Sequence, residues 1–379
     1  MNGEGFELSE VSRVPDDLTE DLSPPRLVGM KRFFLEAFLA AGLPGIRTTL
    51  LAARDPSGKL LGAFALSRME VELDCIAGPS LQTAAAAVRR LHPGFLKLQL
   101  LMFGLPASMA DHEAVLAPDV APKLGERLRR AAVARSLEIV ESEGLSACVW
   151  KEFDAQARER WAPALESGGL TWFPSLPVSA QTVTWTTPAA YEESLRSSYR
   201  RQLRANAARA SEKGLSIELD CDFAPHAAEF HAFYLEVLER SSTRLETLSA
   251  AFFTALAADR RIRYVRATLG GHHVGGALCY VAKPDVLLFL YVGMRHAVQR
   301  EVDLYFNLLK GVVDMAALHG VRELRWGQTS ADAKGRMGAR LVPLWFAMRL
   351  RRPVVHRAVR SLGGLLFPVR GQLERRVFK

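Results

Sequence analysis

Residues 323–339 read ELRWGQTSADAKGRMGA, and the fold turns on how this stretch breaks. Glu323 to Trp326 has the apolar weight of a short buried strand, and Gly327-Gln328-Thr329 ends it. Ala331 to Met337 then has the composition of a short helix. A strand whose polar end opens into a loop and a helix is how α/β sheets bring side chains to a ligand. Working upstream, the spacing predicts an amphipathic helix over about 298–318 and a buried strand at Val286 to Val292 (VLLFLYV). Before them, RIRYVRATLGGHHVGGALCYVA (261–282) reads as a hairpin turning at Gly270-Gly271.

The first half repeats this layout. TTLLAARDPSGKLLGAFALSRM (48–69) is a hairpin turning at Asp55-Pro56-Ser57-Gly58, and Gly58 and Gly62 carry the same spacing as Gly271 and Gly275. A strand candidate at Leu96 to Phe103, a helical pattern from Gly125 to Gly144 and a strand at Ala147 to Phe153 follow in the same order. Trp172-Phe173-Pro174-Ser175-Leu176-Pro177 is a stiff connection. A helix is predicted over Ala189 to Lys213, with Gly214 as its C-terminal cap, then a strand at Leu215 to Leu219 and a helix at His226 to Ser241. A strand over Val342 to Met348 closes the second half. The expected organisation is a flexible acidic tail (1–25), a first domain (26–185), a second domain (186–350) and a basic amphipathic tail (351–379).

The chain has 379 residues, 49% hydrophobic and 24% charged, with a formal net charge of +8. This length implies two cores rather than one, and the composition is that of a globular protein. No apolar run has the length of a bilayer span, and the acidic N-terminus is unlike a secretory signal. Cys75, Cys148, Cys221 and Cys279 are far apart, which predicts reduced, mostly buried thiols, no disulfide framework and no metal site. A cytoplasmic address is expected. Positive charge gathers at Tyr199 to Lys213 and from Arg349 onward, which favours an anionic partner such as a phosphate-bearing donor, RNA or an acidic membrane surface.

Five segments carry a family resemblance: SSYRRQLRANAARASEKGLSIEL (197–219), RSSTRLETLSAAFFTAL (240–256), GGHHVGGALCY (270–280), LYFNLLKGVVDMAALHG (304–320) and the opening stretch 323–339. In this order they resemble the GNAT acyltransferase superfamily, in its FemAB-like branch of tandem domains. The resemblance implies an α/β (α+β mixed sheet) protein, two tandem GNAT-like domains each built on a mixed β-sheet flanked by helices. It implies transfer of an acyl group to an amine from acyl-CoA, acyl-carrier protein or aminoacyl-tRNA. The chemistry needs a held carbonyl, a neutral amine and a stabilised oxyanion, with no tightly bound cofactor. In one respect the chain departs from the family. Where coenzyme A-binding members carry a glycine-rich pyrophosphate loop, this chain reads GMRHAVQREVDLYF (293–306), without the glycine pair and with Glu301 and Asp303 near a helix N-terminus. Either basic side chains (Arg295, Arg300, Lys334, Arg336) take over the phosphate contact, or the donor is not a simple acyl-CoA.

The resemblance further implies two central strands that part at a bulge, here those ending at Gly293 and Gly327, and leave an amide-lined cleft. Glu246, Asp303 and Tyr305 are the candidate catalytic groups. Each also has a plainer account: Glu246 in a surface pair with Arg244, Asp303 as a first-turn dipole partner, Tyr305 as a core tyrosine. Gly293, Arg295, Gly327, Gln328, Thr329, Lys334 and Arg336 are the candidate donor and substrate contacts. His272 and His273 fall at a hairpin turn and read as exposed. The leading expectation is an N-acyltransferase acting on a small-molecule or lipid-linked amine, with acyl-carrier protein or tRNA as further partners. Its rivals are an aminoacyl-tRNA-dependent aminoacyltransferase and a non-catalytic binding module. The basic tail is expected to allow peripheral contact with the inner face of a membrane.

Overall fold

The computed structural model describes residues 5–72, 97–107, 111, 114–241, 246–282, 285–369, 371 and 375–379. Its strands are β1 (Glu7–Val11), β2 (Ile46–Arg54), β3 (Leu60–Glu72), β4 (Lys97–Phe103), β5 (Ala114–Leu116), β6 (Ala147–Phe153), β7 (Thr171–Pro174), β8 (Val178–Thr182), β9 (Leu215–Cys221), β10 (Ile262–Leu269), β11 (His272–Ala282), β12 (Val286–Met294), β13 (Glu323–Gly327), β14 (Arg340–Val342) and β15 (Trp345–Leu350). They form two mixed sheets, ordered β1-β2-β3-β4-β6-β15-β7, with β5 against β3, and β14-β8-β13-β12-β11-β10-β9. The chain divides into two compact units. The first comprises Met1–Leu176, Ser242–Thr247 and Pro343–Arg370, the second Pro177–Ser241, Leu248–Val342 and Gly371–Lys379.

Both sheets follow one plan. The predicted hairpins are β2–β3 and β10–β11, and each continues into a strand that runs parallel to the strand beyond it, β4 with β6 and β12 with β13. A long helix lies between those parallel strands in each half, Pro122–Ser142 in the first and Leu304–Leu318 in the second. The duplication read from the hairpins is therefore a duplication of the whole sheet layout. The core of the second unit sits on the helix Leu304–Leu318, where Leu304, Leu308, Leu309, Val312 and Met315 are fully buried against strand residues such as Val265, Ala277 and Leu287.

Several boundaries differ from expectation. The acidic N-terminus is not a free tail through residue 25: Glu7–Val11 pairs antiparallel with β2, and Glu10 accepts hydrogen bonds from Arg68 and Thr49. Leu18 is buried as well. The last strand of the second half does not close its own sheet, because Trp345–Leu350 pairs with β6 and β7 of the first. In return β8, which follows the first unit in sequence, lies between β13 and β14 of the second sheet. The helix predicted over 189–213 is broken into Pro188–Ser194 and Ser197–Glu212. At the break Leu195 is buried and bridges to Phe378, while Arg196 N donates to Val377 O. The helix predicted over 298–318 is likewise two pieces, His296–Gln299 and Leu304–Leu318, parted by Asp303 in a left-handed conformation (φ 46°). The tail is ordered into helices at Pro353–Ser361 and Gly363–Leu366. Cys148 and Cys279 are buried and Cys221 half-buried; Cys75 lies outside the described residues.

Candidate active site

β12 and β13 run side by side for only three residue pairs, Val286↔Glu323, Leu287↔Leu324 and Leu288↔Arg325. Beyond Leu288 the β13 side of β12 has no strand partner among the described residues. One cause lies on the opposite edge of β12, where Cys279 pairs with Phe289 but Leu278 pairs with Tyr291. Leu290 is therefore the extra residue of a bulge, and a bulge bends its strand away from the neighbour. The second cause is Gly327, whose φ of 75° turns the chain out of the strand.

The two halves differ at this point. In the first unit β4 and β6 stay paired as far as Phe103↔Trp150, and those rings stack with centroids 3.5 Å apart and planes at 16°. The second unit carries the same couple one step beyond its last pair, as Phe289 and Trp326. There the rings stand 6.0 Å apart at 66°.

Lys334 enters this opening. It lies on the short helix Ala331–Arg336, is 1% exposed, donates from Nζ to the carbonyl of Trp326 and sits 5.4 Å from the centre of the Phe289 ring. A Cβ on Gly327 would stand 4.0 Å from the same Nζ. Burial lowers the Lys334 amine from its ordinary 10.5 to about 7. The helix is held in place from behind: Gln181 Nε2 and Tyr191 OH both donate to Met337 O, and Gln181 Oε1 accepts from Trp326 Nε1. Three buried polar side chains thus fix the carrier of Lys334 to the strand whose carbonyl it meets.

The other expected site residues separate into two groups. Tyr305 joins Lys334, because its half-buried phenol hydrogen-bonds Ser330, the residue that opens the Lys334 helix. Burial raises its pKa and the Ser330 bond opposes that rise, so Tyr305 keeps its proton. Gln328 is half-buried and Thr329 exposed on the loop after Gly327. Gly293 has a different role from the one expected: a Cβ there would come within 2.9 Å of Phe233 Cβ and of Tyr234 N. Glycine at 293 lets the helix Ala227–Leu238 lie close on β12. Asp303 is exposed and pairs with Arg209 at 3.6 Å. Arg336 is exposed and paired with Asp332, which also pairs with Arg375. Arg295 is exposed over the Phe233 ring, 5.7 Å from its centre.

Glu246 groups with the first unit. Burial raises its carboxyl from 4.5 to about 7, with Lys151 opposing the rise and Glu152 adding to it. Lys151 and Glu152, an ion pair at 3.1 Å, are themselves buried at the end of β6, and Glu152 holds a left-handed φ of 66°. Its expected partner Arg244 lies outside the described residues. His273 also departs from expectation. Its side chain is covered, Nδ1 bonds Glu229 Oε2 at 2.6 Å, and Nε2 bonds the hydroxyl of the fully buried Tyr264 at 2.9 Å. Sequence reasoning singled out none of Leu290, Lys151, Glu152, Gln181 and Tyr191; the repeated Phe and Trp at the strand ends were the available signal for the opening.

Residues 197–335 match the family model described as an acetyltransferase (GNAT) domain. No curated protein sequence matches the chain. Among solved structures, the chain is similar to the C-terminal domain (DUF2156) of a putative lysylphosphatidylglycerol synthetase from Agrobacterium fabrum, at 11% identity, TM-score 0.52, over 94% of this chain and 99% of that one. FemX (11% identity, TM-score 0.49, 83% and 91% covered) and L-PGS from Bacillus licheniformis (12%, 0.49, 92% and 98%) are also similar. At such identities the first of these shows a shared fold. The match identifies residues 197–335 as a GNAT acetyltransferase-type domain, and the two mixed sheets of the chain repeat one layout.

Proposed function

We propose that the second unit moves an acyl group from a thioester, acyl-CoA or acyl-carrier protein, to a primary amine that attacks it directly in the opening between β12 and β13. The observation that carries this reading is the parting of those strands after Leu288 and Arg325, with Lys334 Nζ inside. Since β12 has no strand partner on its β13 edge beyond Leu288 among the described residues, backbone groups of the stretch 289–292 are read as the polar contacts for the thioester carbonyl and the oxyanion it becomes. The acceptor nitrogen bonds to the carbonyl carbon, the carbon–sulfur bond breaks, and the thiolate leaves.

Proton traffic assigns two residues. An amine titrating near 7 is neutral often enough at physiological pH to take the proton that the neutral acceptor amine sheds from its nitrogen as the new bond to carbon forms. Lys334 is therefore read as the base rather than as a phosphate contact, since its buried Nζ is spent on a carbonyl and not presented to an anion. Tyr305, which keeps its proton, is read as the acid for the thiolate, with Gln328 and Thr329 contacting the donor. Asp303 and Glu246 have no part in this scheme.

An aminoacyl-tRNA donor is the second reading, favoured by one observation. The helix Ser197–Glu212 exposes Arg201, Arg204 and Arg209, and Lys213 just beyond it donates to Glu301 O beside the departed pyrophosphate loop. A basic face there suits a donor larger than coenzyme A. Thiol release from a panel of acyl-CoA and acyl-carrier donors with primary amines, run beside charged tRNA, separates the two. Amine-dependent thiol release that is lost in Lys334→Met supports the proposal. Consumption of charged tRNA alone moves the donor to the second reading, and consumption of neither overturns acyl transfer by this site.

A further inference from the structure

Nine large apolar side chains are prominently exposed among the described residues, and six of them fall in one short stretch: Val354, Val355, Leu362, Leu365, Leu366 and Val369. Val354, Leu365 and Val369 are 70%, 79% and 80% exposed. Such a concentration is unusual on a chain that otherwise buries its apolar residues, and contiguous exposed apolar surface marks a place where something binds.

The segment is held rigidly enough to present that surface. Pro353 opens the helix Pro353–Ser361, where its missing N–H costs nothing. The inner face is fixed to the first unit. His356 shares a hydrogen bond with Thr171 Oγ1 at 3.2 Å and accepts at Nδ1 from Leu350 N, while Val359 and Phe367 pack on Phe173 and Phe346. Phe367 lies 4.9 Å from Phe173 and 5.1 Å from Phe346, ring centre to ring centre. Gly363 lets the chain lie flat on Phe173, since a Cβ there would be 2.6 Å from the ring. Val354, Ala358 and Leu362 recur at four-residue spacing and share a face beside Val355, on the side of the helix away from the inward His356. None of this apolar surface is needed to anchor the helix.

Charge identifies the occupant. From Arg349 to Gln372 the sequence has six arginines and no acidic residue. Arg351, Arg352, Arg357 and Arg360 are exposed beside the apolar face. Apolar side chains flanked by exposed arginines match the acyl-chain boundary and the anionic headgroups of a lipid bilayer. The segment is too short to cross one, and among the described residues no helix is long and apolar enough to do so. We propose that residues 351–369 form a docking surface that lies on an anionic lipid membrane. The proposal is independent of the acyl-transfer reading.

The test is cosedimentation of the full chain with neutral phosphatidylcholine vesicles and with vesicles carrying about 30% phosphatidylglycerol. Binding to the anionic vesicles should exceed binding to the neutral ones by about tenfold or more and weaken as salt rises. The double substitutions Val354→Glu/Leu365→Glu and Arg352→Glu/Arg357→Glu should each abolish it. Both pairs are exposed, so circular dichroism and melting should be unchanged. Equal binding to both vesicle types, no binding, or full binding by the Val354→Glu/Leu365→Glu chain overturns the proposal. So does a concentration-dependent dimer in analytical ultracentrifugation that this pair dissolves, which would assign the face to a second copy.

Discussion

Replacing Lys334 with Met should make the protein more stable at pH 6 while stopping it from working. The native amine titrates near 7 against 10.5 in an unfolded chain, a gap of about 3.5 pH units. At about 1.36 kcal/mol per unit, burying the charged form costs about 5 kcal/mol when both states are protonated, below pH 7. Met has similar length and no charge, so it removes that cost. It also strips the Trp326 carbonyl of its donor, which costs about 1–2 kcal/mol. The balance is a gain of about 3 kcal/mol at pH 6. Between about 7 and 10.5 the unfolded chain holds a proton that the native chain has released, so wild-type stability rises with pH. The advantage of Lys334→Met should therefore shrink through that window and reverse near its top. Urea unfolding at pH 6, 8 and 10 reads the stability. Steady-state thiol release reads the activity, where removing a general base should cost about 10²–10⁴-fold. The wild-type kcat/KM should climb through pH 7 as the amine loses its proton. A substitution that destabilises at pH 6 would place the ammonium in a satisfied ion pair and not in an apolar opening. Full activity in Lys334→Met would remove it from the chemistry.

Two further substitutions probe the frame. Gly293→Ala forces a Cβ against the backbone of the helix Ala227–Leu238, so it should cost about 1–3 kcal/mol in urea unfolding; an unchanged midpoint would show that the helix has room to retreat. Glu246→Gln tests the buried carboxyl of the first unit. Its native pKa near 7 lies above the ordinary 4.5, so between those values the native chain keeps a proton the unfolded chain has lost. Wild-type stability should fall as pH rises from 4.5 to 7, and the Gln variant should lack that fall; identical pH profiles would sink the assignment.

The parts of the fold legible in the sequence are those fixed by local signals. Asp55 to Gly58 and Gly270-Gly271 mark their hairpins because turns demand these residue types, and β6 is bounded as its alternation of apolar residues suggests. What the sequence does not reveal depends on distant partners. Trp345–Leu350 has a strand pattern, but nothing in it says that its neighbours are β6 and β7 rather than β13. Glu7–Val11 reads as an acidic tail until Arg68 is seen to neutralise Glu10. Lys334 reads in the sequence as a basic residue near the cleft, and its burial is not legible there, since one turn of helix displays no periodicity. The same limit hides the surroundings of Glu246, whose neighbours Lys151 and Glu152 are some ninety residues away in sequence.

The duplication also sets the two halves apart at the ends of their parallel strands, where one gap is closed and the other is open. Both units bring a Phe and a Trp to the place where their parallel strands end. In the first unit strand pairing extends through Phe103↔Trp150 and the rings close at 3.5 Å, sealing the gap with dispersion contacts. Beyond them Lys151 and Glu152 neutralise each other. In the second unit pairing stops one residue earlier, the Leu290 bulge keeps Phe289 off Trp326, and the lysine in the gap comes from a separate helix with a carbonyl as its partner. Burial of Lys334 in that gap lets its amine give up the proton near neutrality. From one repeated plan, the length of strand pairing decides which gap is packed core and which stays open around a buried amine.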